Sequence, residues 1–166
     1  MAIYQMSLNS QVFPDGSKGS IVLVASTSGY VGGTGVISYV ASKHGIIGLL
    51  RASQSAAKMY QVNINAVAPF FTPTHITSGY AEEWRRAGLP ENSTSDVALA
   101  IAHTAMGLES GKCCLVVGKV MKEIEGPGEA LRAIWLGEDV VDQMAQGAKF
   151  FEAQGGYSLP PNRNTV

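Results

Sequence analysis

The chain has 166 residues, 46% of them apolar and 15% charged, which is enough to fill the core of one domain and excludes a disordered chain. With 12 basic against 13 acidic side chains the formal net charge is −1, and no arginine–lysine run occurs, so a nucleic-acid partner is not expected. The longest uncharged stretch, Gly19 to Ser42, is broken throughout by glycine, serine and threonine, and no charged segment leads into an apolar one at the start. Neither a membrane span nor a secretory leader is therefore expected.

In chain order, Ala2–Val12 is the first helix candidate, and Phe13-Pro-Asp-Gly-Ser-Lys-Gly19 reads as a turn. Ile21-Val-Leu-Val-Ala25 is an unbroken apolar, β-branched run, the pattern of a strand buried on both faces. From Val36 to Met59 the spacing is helical, with Ile37, Val40, Ala41, Ile47 and Leu50 on one side. A second strand follows at Val62–Val67 and ends by Pro69. Ala81–Ala87 and Ser95–Leu108 read as helices, the latter with Ser95 as N-cap. Cys113–Val117 is a third strand. Its adjacent cysteines, Cys113 and Cys114, point to opposite faces and form no disulfide framework, which suits a cytoplasmic protein. Glu129–Leu136 and Val140–Gln154 look helical. Strands alternating with helices predict an α/β fold with a parallel sheet and right-handed crossovers. Three strands are fewer than the usual five or so. The expectation is an incomplete doubly wound, Rossmann-like sheet in one domain over residues 1–157, followed by a tail at 158–166.

Tyr39 and Lys43 are spaced i, i+4 and share one helix face. A phenol has a reference pKa of about 10, too high for acid–base work at neutral pH, and an ammonium one turn away stabilises phenolate. The pair is a proton-transfer device in form, although a solvated helix face carries the same spacing. Ser26 lies at the carboxyl end of the first strand, where ligands of open α/β sheets bind. Pro69 follows the second strand, with Phe70, Phe71, Thr72 and Thr74 just beyond.

Taken in order, Ile21-Val-Leu-Val-Ala-Ser-Thr-Ser-Gly29, Ser38-Tyr-Val-Ala-Ser-Lys-His-Gly45 and Val62-Asn-Ile-Asn-Ala-Val-Ala-Pro69 resemble the catalytic half of the short-chain dehydrogenase/reductase family. Gly111–Lys119 and Trp135-Leu-Gly-Glu138 are similar to fungal members related to hydroxyprostaglandin dehydrogenases. The resemblance implies that Ser26 polarises the substrate oxygen and that Tyr39 is the general acid or base. It implies that Lys43 supports Tyr39 and holds the nicotinamide ribose, and that Thr72 and Thr74 meet the nicotinamide carboxamide. It implies NAD(P) as cofactor, a lipophilic small-molecule substrate and a homo-oligomer.

The family's glycine-rich strand–turn–helix, which seats the pyrophosphate, has no counterpart here, so NAD(P) binding is in doubt. Gly29-Tyr-Val-Gly-Gly33-Thr-Gly35 has a similar glycine spacing, but the next strand ends without the carboxylate such a site needs. It is read as a substrate-side loop. Phe70 stands where the family has glycine, as a lipophilic substrate wall or as bulk partly filling the cofactor slot. Trp84, among Glu82, Glu83, Arg85 and Arg86, falls in the family's lid region, where a solvated amphipathic helix is the plain alternative. His44, His75 and His103 are dispersed and give no metal-ligand spacing. Three functions remain open: an oxidoreductase moving hydride between NAD(P) and a hydroxyl or carbonyl carbon, a cofactor-independent isomerase, dehydratase or cyclase, and a non-catalytic paralogue. The run Ile21–Ala25 is internal in the family's sheet, so a homodimer or larger assembly is expected, with Met1–Val12 or a partner chain shielding that edge.

Overall fold

The computed structural model describes residues 2–33 and 35–157. They form two compact units, Met1–Gly126 and Pro127–Val166. Thr34, inside the glycine-rich loop, and the expected tail at 158–166 lie outside the described residues.

The first unit is built on a four-stranded sheet in the order β1 (Gly19–Val24), β2 (Val62–Pro69), β3 (Cys113–Val117), β4 (Val120–Glu123). The first three strands are parallel, with Ile21 opposite Ile64, Leu23 opposite Ala66 and Pro69 opposite Val116. One face packs on α1 (Ala2–Ser7), α2 (Ile37–Ala52) and α3 (Gln54–Tyr60), and the other on α5 (Thr94–Met106). Alternation within the strands makes this possible. Val62, Ile64, Ala66, Ala68 and Cys113 join Ile47, Leu50 and Ala57 in one core, while Val67, Val116, Val22 and Cys114 meet Ala100 and Ile101 in the other. The adjacent cysteines thus serve opposite cores as free thiols, and burial pushes the Cys113 thiol up to about 11.

The fourth strand is absent from the sequence reading because its alternation is too short and exposed to signal. It returns antiparallel from β3 through a two-residue turn with Gly118 at φ +57°. The helix expected over Val36–Met59 is two helices, parted at Ser53. The first helix ends at Ser7 rather than Val12. The N-cap of α5 is Ser93, not Ser95, because Asp96 three residues on completes a reciprocal capping box: Ser93 N–H donates to Asp96 Oδ2 at 2.7 Å and Asp96 N–H to Ser93 Oγ at 3.1 Å. Between β2 and α5 lies α4 (Ala81–Arg86).

After α6 (Glu125–Ala130), the second unit contains α7 (Arg132–Leu136) and α8 (Glu138–Ala153), which pack together across Gly137 at φ +90°. Within it Phe151 meets Phe150 and Tyr157 edge-on at 5.5 and 5.1 Å.

Candidate active site

The parallel strands β1 and β2 end side by side, and the chain turns outward at Ser26 and Phe70. At that end backbone groups run out of strand partners and side chains take their place. Ser26 begins a single 3-10 turn, Thr27–Gly29, and is 7% exposed. Its Oγ accepts from Ser28 N–H at 3.2 Å and donates to Pro69 O at 3.3 Å, tying the two strand ends together. The second bond is long for a hydroxyl, so the rotor turns cheaply toward a better acceptor.

Helix α2 brings Lys43 to the same end. Its Nζ donates to Val24 O at 2.9 Å, two residues before Ser26. The same nitrogen stands 5.5 Å from the centre of the Tyr39 ring, one turn back, at cation–π distance. Tyr39 is 38% exposed, so its ring faces solvent in part and is open to a reactant. The approach of turn to helix is close: a Cβ on Gly29 would lie 2.7 Å from Lys43 O and 3.1 Å from Ile47 Cγ1.

Beyond β2, Phe70 N–H donates to Val116 O at 2.8 Å, so the first residue after the strand is still held by β3. Phe71 stacks on Trp84 of α4 at 4.1 Å, and Phe70 meets the same indole edge-on at 5.6 Å. Trp84 Nε1–H donates to Pro90 O at 3.0 Å. Thr72 Oγ1 donates to Phe70 O at 3.0 Å, and Thr74, the N-cap of the His75–Thr77 turn, donates its N–H to Thr77 Oγ1 at 2.9 Å. The structure therefore gathers Ser26, Tyr39, Lys43, Phe70, Phe71 and Thr72 at the strand ends, while the contacts of Thr74 run within its own turn.

Asn92 organises this end without a signal in the sequence. It is 1% exposed, and its Nδ2 donates to Val116 O, Thr72 Oγ1 and Phe70 O at 3.0, 3.2 and 3.4 Å. Two carbonyl acceptors fix which way the amide points. These partners lie 20 to 24 residues away, beyond the reach of local pattern. A hollow of about 480 Å³ beside Asp15, Gln54 and Ser110 opens at the start of β2, the opposite end of the sheet. Among the described residues no group of three or more His, Cys, Asp or Glu could hold a metal ion, and no helix is long and apolar enough to cross a membrane.

A family model described as short chain dehydrogenase matches residues 2–84, which include Ser26, Tyr39, Lys43 and the Phe70–Thr74 segment. The chain is 32% identical over 142 residues to the short-chain dehydrogenase/reductase prx4 of Penicillium roqueforti, covering 74% of this chain and 43% of that protein. The crystal structure of 3-hydroxyacyl-CoA dehydrogenase type-2 from Mycobacterium avium superposes with a TM-score of 0.61 at 24% identity, over 72% of this chain and 49% of that one. An actinorhodin polyketide ketoreductase with NADPH gives 0.53 at 25% identity, over 60% and 46%. The chain spans about half the length of the curated relatives it matches, or less.

Proposed function

The chain belongs to the short-chain dehydrogenase family, and from that premise we propose that it carries the acid–base set of an oxidoreductase acting on a hydroxyl or carbonyl group of a lipophilic small molecule. The observation that supports this most is the convergence of Lys43 on the end of β1: its ammonium bonds Val24 O and overlooks the Tyr39 ring, two residues from Ser26.

In this reading the Ser26 hydroxyl turns from Pro69 O and donates to the substrate oxygen. Tyr39 gives a proton to that oxygen in reduction and removes it in oxidation. Lys43 sets a positive charge beside the Tyr39 ring, and its bond to Val24 O fixes where that charge sits. The Phe70, Phe71 and Trp84 rings offer an apolar wall beside the reacting group, which favours a lipophilic substrate over a sugar or an acid.

NAD(P), when bound, supplies or accepts the hydride. The donor set suits the nicotinamide ribose: Lys43 uses one N–H on Val24 O and has two left for ribose hydroxyls, beside Tyr39. Thr72 stands next for the carboxamide. The glycine-rich segment after β1 does not suit the pyrophosphate, because the space at Gly29 is taken by the backbone of α2 rather than kept for a phosphate.

The test is NADPH oxidation with acetophenone as a lipophilic ketone, read by absorbance. Tyr39→Phe is expected to lower turnover by about 10²–10⁴, the usual worth of a positioned acid–base group. Turnover unchanged in that variant rules the assignment out.

A further inference from the structure

We propose that Glu125 is a positioning residue: through Tyr30 and Arg51 it fastens the turn that carries Ser26 to the helix that carries Tyr39 and Lys43. The proposal rests on the reading that those three residues perform the chemistry.

The Ser26 turn cannot hold itself. It is one turn of 3-10 helix, a conformation with poor hydrogen-bond geometry that persists only in short, supported pieces. Ser26 reaches its two partners at 3.2 and 3.3 Å, both at the long end. The turn exits at Tyr30, whose N–H donates to Thr27 O at 3.0 Å. There the Tyr30 hydroxyl donates to Glu125 Oε1 at 2.7 Å, the shortest contact on this side of the turn. Burial, with Cys113 and Glu125 as its neighbours, raises the Tyr30 phenol far above its ordinary range, so it stays protonated and keeps donating.

Arg51 grips the same carboxylate as a fork, Nε to Oε2 at 2.8 Å and Nη2 to Oε1 at 2.9 Å. Its guanidinium also stands 6.0 Å from the Tyr30 ring. Arg51 is on α2, eight residues or about 12 Å past Lys43 by helical rise. Gly29 touches that helix at Lys43 O. The turn is thus held to α2 at two points, by close backbone packing at Lys43 and by the carboxylate bridge further along.

Glu125 is itself a fixed point. Its N–H donates to Glu123 Oε1 at 2.7 Å, and Ile124 N–H donates to Cys113 O at 3.1 Å, which anchors this segment to β3. The Glu125 side chain is 12% exposed against 55% for Arg51, so the carboxylate end of the bridge is shielded while the guanidinium end meets solvent. The Ser26 turn and α2 therefore meet on one carboxylate from a segment 74 to 95 residues away, and the geometry of the three sets the separation between the Ser26 hydroxyl and the Tyr39–Lys43 helix.

The test compares Glu125→Ala, Glu125→Gln and Tyr30→Phe with the wild-type chain by residue-resolved amide hydrogen exchange and by turnover of acetophenone with NADPH. Glu125→Ala and Tyr30→Phe are expected to speed exchange at Ser28, Gly29 and Tyr30 by about tenfold or more, with Ala66 and Val67 of β2 within about threefold of wild type. Turnover number falls by a similar factor in both while KM stays within about threefold, the mark of lost alignment rather than lost binding. Glu125→Gln, which keeps an acceptor for the Tyr30 hydroxyl but sets an amide N–H2 against Arg51, is expected to fall between wild type and Glu125→Ala on both readouts. Unchanged exchange at the three amides, an equal rise in β2, or wild-type turnover in Glu125→Ala overturns the proposal. The exchange measurement needs no substrate, so it decides on the bridge even where Tyr39→Phe shows that the chemistry was misassigned.

Discussion

At Gly29 the chain has no room for a side chain. A Cβ there would meet the carbonyl of Lys43 at 2.7 Å, and a backbone atom cannot swing aside as a flexible side chain can. Gly29→Ala is expected to push the Ser26 turn off α2, at a cost of about 1–3 kcal/mol in a denaturation midpoint, the usual range for overpacking. The acetophenone reaction should suffer with it, and wild-type stability and turnover in Gly29→Ala would show that the contact is not tight. Ser26, Tyr39 and Lys43 are legible in the sequence because each placement follows from one element: a strand end and one turn of a helix. Tyr30, Arg51, Glu125 and Asn92 are not. The Tyr30 to Glu125 bond spans 95 residues and the Asn92 to Val116 bond 24, so only the folded sheet brings these pairs together. Thr74, named with Thr72 through the family resemblance, makes its backbone hydrogen bonds with Thr77 in the turn that follows.

Among the elements, α5 shows how a cap is chosen. Ser93 and Ser95 are equally good cap residues by type, and Asp96 decides for Ser93 because only that spacing closes the reciprocal pair. Ser93→Ala is expected to cost about 1 kcal/mol in chemical denaturation. The hydrogen bonds from Ser93 hold the Asp96 carboxyl below its ordinary 3.8, and those from Ser17 do the same for Asp15 in the Phe13–Gly19 turn. A carboxyl lowered in the folded state adds stability above its unfolded pKa and loses it as pH falls through the folded one. Stability should therefore drop as pH falls below about 4, and Asp96→Asn with Asp15→Asn should flatten that drop. An acid limb of the same depth in the double variant would contradict these roles. The strongly apolar strands were readable from their runs alone. The short hairpin strand β4 was not, since Val120, Met121 and Lys122 are all exposed and show no buried alternation.

For the molecule as a whole, the sheet order among the described residues leaves β1 paired on one side only, with β2. Its run Ile21–Val24 is apolar in both directions, and Val24 is 48% exposed. An apolar edge with unpaired backbone groups invites another chain. The α1 helix lies against β1 at Gly19, where Met6 fills the space beside the glycine. The 17.5 kDa chain is expected to sediment as a dimer or larger assembly at tens of micromolar, and a monomer there would contradict the expectation. The central claim concerns the reaction, and deuterium transfer tests it most directly. With acetophenone and excess NADPH deuterated at the nicotinamide C4, the wild-type chain should place the label on the carbinol carbon of the product alcohol, and Tyr39→Phe should do so slower by about 10²–10⁴. Alcohol formed without the label, or labelled at the same rate by both proteins, would contradict it.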